Sequence, residues 1–308
     1  NDKKNGTAKA AVSAGPELTP AQTRQRVIAL LLVFAVVIFF WMVFHQNGAT
    51  LTEFAKTCTS PEAGGWTRIG FNVWALLSIA VGVYALFNLF QTKSNLSRLI
   101  SVALLALVAW AVYYFYNTTP DPLTGIQPQE YQQFNPFYVV ALTPVSLAFF
   151  GWLAKRKKEP SAPRKIGYGM LMAAIAYGVM CVGSLAIVGT SAAVSPNWLI
   201  GTYLLLTFAE LLLSPMGISF VSKVAPPKLK GSMMGGWFAA TAVGNYLVSI
   251  PMLLWGKIST AALWGILIII CLISAAFIFS IMKKLEAATS DAPAADTDSL
   301  ETVENEAI

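Results

Sequence analysis

Residues 206–248 read LTFAELLLSPMGISFVSKVAPPKLKGSMMGGWFAATAVGNYLV, the end of one apolar run and the start of another around a short basic segment at 223–230. The two runs extend over 198–221 and 234–255. Each can cross a bilayer as a helix, because a hydrocarbon core of about 30 Å needs about 20 residues at about 1.5 Å apiece. Neither alternates polar with apolar residues, as a strand of a membrane barrel would. A chain crossing lipid must satisfy its own backbone, which leaves helices.

The same reading carried outward finds six more runs, at 27–46, 70–90, 99–117, 135–153, 167–188 and 262–282. The composition agrees: of 308 residues, 56% are hydrophobic and 12% charged. Soluble domains carry about 25% charge. Neither a soluble enzyme nor a disordered chain fits that balance. If the start lies inside, the alternating loops leave only Lys56, Arg68 and Lys257 outside among the 21 Lys and Arg. That bias supports eight spans with both termini cytoplasmic. The net charge of +6 therefore reports orientation at the lipid headgroups, and no nucleic-acid partner is expected.

The expected organisation is a cytoplasmic disordered linker at 1–23, a membrane domain at 24–285 and an acidic cytoplasmic tail at 286–308. The chain starts at Asn1 without a signal peptide, and it reads as a processed product or a piece of a longer one. Cys58, Cys181 and Cys271 are scattered, so neither a disulfide framework nor a zinc site is expected.

Polar residues inside the runs are the functional candidates. Glu210 stands near mid-bilayer, where a carboxylate costs about 2.5–3.5 kcal/mol on insertion scales and marks a site or a pairing. The bland reading is a protonated acid bonded to a neighbouring helix. Ser214 lies one turn later, and Pro215 removes the hydrogen bond of the Leu211 carbonyl and kinks the helix. An acid, a hydroxyl and a freed carbonyl at the midplane suit a solute site, although Ser-Pro also serves as a packing kink. His45 is the one histidine and ends the first run near the outer surface. It is a solvated interfacial residue or, since imidazole titrates near neutral pH, a proton site. Asn135-Pro136 is expected to cap the fourth run. Trp237 and Phe238 suit an interface belt, and the Gly231/Gly235 spacing, with Gly236 and Gly244 beyond it, suits close helix packing. No HExxH, GxSxG, phosphate loop or paired intramembrane acids occur, so an enzyme is not expected.

Three blocks carry a resemblance. Glu210, Ser214-Pro215, Ala225-Pro226, Gly236-Trp237-Phe238 and Gly244-Asn245-Tyr246 resemble the tenth and eleventh helices of proton-dependent oligopeptide transporters, a family of the major facilitator superfamily. Phe40-Trp41 through Phe54-Ala55 is similar to the seventh helix. Ile126 to Pro144, with Tyr131-Gln132-Gln133-Phe134-Asn135-Pro136, is similar to the start of the eighth. Together these cover about three quarters of the chain.

The resemblance implies an all-α integral membrane fold of the inner membrane, the C-terminal six-helix half of a major facilitator bundle. An inserted two-helix hairpin at 69–117 brings the total to eight transmembrane helices. The hairpin is expected to pack outside the bundle, away from the substrate site. The missing partner is the N-terminal six-helix half with its Glu-x-x-Glu-Arg motif. The implied function is import of di- and tripeptides by alternating access, with protons as the coupling ion and no cofactor or metal. By carry-over, Glu210 binds the peptide amino terminus, Asn135 assists and Trp237 shapes the pocket, with Ser214 beside them. His45 and Glu210 carry the proton. Where the family has Glu on the seventh helix, this chain has His45, which cannot make the same salt bridge. Two alternatives remain: another small solute, such as nitrate, on the same scaffold, or a non-transporting membrane scaffold or partner subunit.

Overall fold

The computed structural model describes residues 18–187 and 193–290. Eight of its helical segments are long and apolar enough to cross a membrane, one for each run. In chain order the helices are α1 (Pro20–Phe44), α2 (Thr50–Cys58), α3 (Val73–Gln91), α4 (Asn95–Thr118), α5 (Phe134–Lys155), α6 (Ala162–Leu185), α7 (Asn197–Val224), α8 (Lys230–Leu247), α9 (Ser249–Leu254), α10 (Thr260–Ser280) and α11 (Met282–Ser290).

Side-chain caps set where α1, α3, α4 and α10 begin. Thr19 and Gln22 form a reciprocal capping box, so α1 starts at Pro20. The last residues of the expected linker at 1–23 are therefore helical, and 1–17 lie outside the described residues. Asn72 accepts from the amides of Trp74 and Ala75 at the start of α3. Ser94 and Ser259 do the same for α4 and α10. Each such cap stabilises its helix by about 1 kcal/mol. At the other end Glu286 belongs to α11, whose Leu285 and Ala288 are buried. It is therefore no part of a solvated tail. The other acids of the expected tail lie outside the described residues.

The packing order runs α4, α3, α5, α7, α6, α10, α1, α8, and α8 returns to α7. Between α7 and α10, α6 is the most enclosed helix, with Tyr177 and Trp264 stacked at its centre. Their polar ends are satisfied: Tyr177 Oη donates to the Val43 carbonyl at 2.6 Å, and Trp264 Nε1 to Ser184 Oγ at 2.7 Å.

Small residues set the contact between α1 and α8. A Cβ on Gly236 would come 2.8 Å from the Phe34 ring, and one on Gly244 would meet the Ile38 carbonyl and Trp41. Gly236, Ala240 and Gly244 lie four apart, hence on one face. Gly231 and Gly235 meet nothing within 4 Å. Of the four glycines expected to allow close packing, Gly236 and Gly244 do so, while Gly231 and Gly235 do not.

Helices α3 and α4 form an antiparallel hairpin that meets the bundle through α3 on α5. Gly82 lets the two helices close against Val108. Near the turn between α3 and α4, Asn88 Nδ2 donates to both Ser97 and Ser101. At the opposite end, the base of the hairpin, Glu62–Ala63 pairs antiparallel with Leu123–Thr124. Arg68, read from sequence as an outer-loop charge, is 4% exposed there. Its guanidinium donates to the carbonyls of Gly65, Tyr116 and Thr119 and to Asp121 Oδ2 at 2.7 Å. A buried charge must be matched this fully to be tolerated.

Candidate functional site

Helices α5 and α7 carry the central pair. Asn135 Nδ2 donates to Glu210 Oε2 at 3.0 Å and to Thr207 Oγ1 at 3.2 Å. Thr207 in turn donates to the Tyr203 carbonyl one turn back on α7. Asn135 is not a helix cap. A 3₁₀ turn, Pro128–Gln133, runs directly into α5, and Gln133 occupies the N-cap position without a side-chain capping bond. The Asn135 amide is thereby free to reach across. Both partners are half-buried. A carboxylate held by one amide keeps lone pairs available for a cationic ligand.

The other candidates stand apart from this pair. Ser214 is half-buried one turn below Glu210, and no hydrogen bond joins it to Glu210 or Asn135 among the described residues. Pro215 sits within a continuous α7, as Pro144 does within α5.

Trp237 is 2% exposed and lies edge-to-face with Phe34. Its ring fills the space beside Gly217, where any Cβ would overlap it. It is a wedge between α7, α8 and α1, so neither an interface belt nor an open pocket wall describes it. Phe238 beside it is 59% exposed.

His45 begins the 3₁₀ turn His45–Gly48 that follows α1. Its ring stacks on Trp41 at 4.9 Å, and the Asn245 side chain of α8 is within hydrogen-bonding reach. Its Nδ1 is buried without a side-chain partner among the described residues, as is Trp41 Nε1. No hydrogen bond or ion pair joins His45 to Glu210 among those residues.

A link between the two regions runs through Asn47, two residues after His45. Its carbonyl accepts from Tyr203 Oη on α7 at 3.1 Å and from Thr52 Oγ1 at 2.7 Å, and Gln132 Nε2 donates to Thr52. The Asn47 carbonyl thus ties α7 to α2, and Thr52 passes the link on to the turn before α5. Sequence reasoning missed Thr207, Tyr203 and Asn47. Thr207 and Tyr203 lie at the i−3 and i−7 positions from Glu210, on its face of the helix, which is the one signal that marks them.

Among the described residues no group of three or more His, Cys, Asp or Glu is placed to hold a metal ion. What the site offers is one carboxylate, one amide and one hydroxyl between two helices. That set suits recognition of a small cation rather than bond-breaking chemistry.

Known proteins resemble this chain in sequence and in fold. The PTR2 family model, described as the POT family, matches residues 86–293. A dipeptide and tripeptide permease A of Chromobacterium violaceum is 30% identical over 190 residues, covering 57% of this chain and 38% of that protein. The peptide transporter YePEPT of Yersinia enterocolitica is 38% identical over 120 residues, covering 37% of this chain and 23% of that one. A dipeptide and tripeptide permease A of Escherichia coli is 24% identical over 250 residues, covering 75% and 45%. Among solved structures, a mutant of peptide transporter POT in complex with alafosfalin superposes with a TM-score of 0.64 at 21% identity, covering 89% of this chain and 44% of that chain. The chain spans less than half the length of these relatives.

Proposed function

The chain belongs to the POT family, whose major facilitator fold it shares, and from that premise we propose that it forms the C-terminal half of a proton-coupled importer of di- and tripeptides. The observation that carries the proposal is the Asn135–Glu210 hydrogen bond joining α5 to α7. In this reading Glu210 receives the peptide ammonium, and Asn135 orients the carboxylate and contributes its own carbonyl to the same group. A charge-assisted pair in this setting is about twice as strong as a neutral one. The N-terminal half closes the site from the other side. The two halves rock about it, which is alternating access.

Trp237 supports the site indirectly by seating α7 at Gly217, and Ser214 lines the turn below Glu210. Proton movement is assigned to Glu210 and His45. Imidazole is the side chain that exchanges a proton near neutral pH, and His45 sits where α1 meets Asn245 of α8. The distribution of Lys and Arg supports cytoplasmic termini. The named relatives are permeases and transporters, which supports transport over catalysis.

Glu210→Gln in the full-length protein, reconstituted in proteoliposomes, tests this. Uptake of dialanine driven by a proton gradient is expected to collapse. Unchanged uptake would remove Glu210 from the mechanism. His45→Gln should reshape the pH dependence of uptake, and an identical profile would return His45 to a packing role.

A further inference from the structure

The inserted hairpin ends at the outer membrane face in a short 3₁₀ turn, Gly65–Phe71, that touches both helices of the site. On one side Thr67 Oγ1 donates to Asn197 Oδ1, the first residue of α7, at 2.9 Å. On the other, Gln133 Nε2 donates to the Gly70 carbonyl at 3.3 Å. Gly70 presses on the Phe134 ring so closely that a Cβ there would lie 2.9 Å away. The Phe71 ring meets Phe134 at 5.5 Å and Tyr131 at 5.1 Å, both edge-to-face. Asn135 is the next residue after Phe134, and its side chain holds Glu210.

What holds this turn in place is Arg68. Its guanidinium binds the Gly65 carbonyl within the turn, the Tyr116 and Thr119 carbonyls at the end of α4, and Asp121. It also covers the Tyr116 ring at 4.4 Å. Asp121 Oδ1 accepts from the Gly65 amide at 3.2 Å. The planar five-donor fork fits this arrangement, and a lysine could not span it.

We propose that the α3–α4 hairpin is a brace for the site and that Arg68 is a positioning residue, setting the outer ends of α5 and α7 so that Asn135 and Glu210 meet. This reverses the expectation that the hairpin stays apart from the substrate site. The consequence for dialanine rests on the peptide-transport reading, whereas the geometric consequence does not. Distortions of about 1 Å at a site lose up to about a hundredfold in rate. The hairpin thus has leverage without touching a ligand.

Two measurements test the brace in the full-length protein. The first places cysteines by Asn135→Cys and Glu210→Cys, with Cys58, Cys181 and Cys271 changed to Ala, and follows the rate of crosslinking by a short bis-methanethiosulfonate. Arg68→Gln is expected to slow crosslinking about tenfold, the effect of a lost charged hydrogen bond, with Arg68→Lys in between. The second follows dialanine uptake with Asn135 and Glu210 intact. There Arg68→Gln is expected to raise KM by a similar factor and leave Vmax within about twofold.

Should Arg68→Gln fail to fold, Gln133→Leu, which removes only the bond to Gly70, carries the same two expectations at smaller amplitude. Unchanged crosslinking and unchanged KM in a folded variant overturn the brace. Slowed crosslinking in a protein that moves no dialanine upholds the brace and sinks the peptide reading instead.

Discussion

Asn135 of α5 donates one amide nitrogen to both Glu210 Oε2, at 3.0 Å, and Thr207 Oγ1, at 3.2 Å, of α7. A single side chain thereby fixes the rotation of one helix against the other and the direction of the acid between them. Asn135→Ala would leave a half-buried carboxylate without its donor, at about 1–3 kcal/mol, the cost of an unmet polar group. Dialanine KM should rise about tenfold. Asn135→Asp should do worse, since it sets a second negative charge against Glu210. Equal KM values for wild type and Asn135→Ala would show that the contact is incidental.

The Trp237 wedge makes a prediction about α7. Because the ring occupies the space beside Gly217, Gly217→Ala forces a shift of helix or ring and should cost about 1–3 kcal/mol. Trp237→Ala empties the same place and should cost about 3–5 kcal/mol. Trp237→Phe shortens the ring and should relieve Gly217→Ala, so the double variant should unfold above the sum of the single losses. Additive melting shifts in detergent would mean that the two residues do not share a space.

Beneath the bundle, Arg164 Nε and Nη2 grip both oxygens of Glu286, and Ser161 Oγ donates to Oε1 at 2.7 Å. The Ser161 bond first and the Arg164 bonds next hold the Glu286 carboxyl below the usual carboxylate range. A depressed acid stabilises the fold above its ordinary value of about 4.3 and loses that contribution as pH falls through the lowered one. The docking of α11 should therefore be unaffected by pH near neutrality and weaken only in acid below the ordinary value. A spin label on α11 should gain mobility in that range. Glu286→Gln should be mobile already at neutral pH and show no such transition. A label equally immobile in both proteins would separate α11 docking from Glu286.

The membrane crossings were legible because hydropathy over twenty residues is a local property, and all eight runs became helices. Their ends were less so: Thr19 and Asn72 act through backbone amides that an apolar count does not register. Glu210 stood out in sequence because an acid in a long apolar run is conspicuous by itself. Its partner Asn135 was named only through the family resemblance, for Asn135-Pro136 by itself has the local form of a helix cap, and the preceding 3₁₀ turn leaves the amide to cross to α7. Arg68 was hidden for a related reason. Four of its contacts reach residues 116–121, or close a turn that exists only once those residues are in place. Among the glycines of α8 the sequence could not separate Gly236 and Gly244, which meet α1, from Gly231 and Gly235, because spacing along a helix does not say which face meets a neighbour.

Lys165 in the first turn of α6 supplies a last test, one that separates charge from packing. It is 2% exposed, paired with Glu159, and placed 4.1 Å from the Phe150 ring centroid with Met216 Sδ at 3.4 Å. Three of its neighbours thus come from α5, α7 and the loop before α6. Glu159→Gln removes the countercharge but leaves the ammonium in place. Breaking a fully buried pair costs about 3–5 kcal/mol, and the partial exposure of Glu159 reduces this to about 1–2 kcal/mol. Lys165→Met replaces the ammonium with a thioether beside Phe150 and Met216, where sulfur and ring are compatible neighbours. Replacing both partners of a buried pair with neutral groups is close to neutral in stability. The ordering expected in a melting series is therefore wild type close to the Lys165→Met/Glu159→Gln double variant, with Glu159→Gln alone clearly lower. If Glu159→Gln melts with wild type, the pair contributes nothing to holding α5, α6 and α7 together at this end.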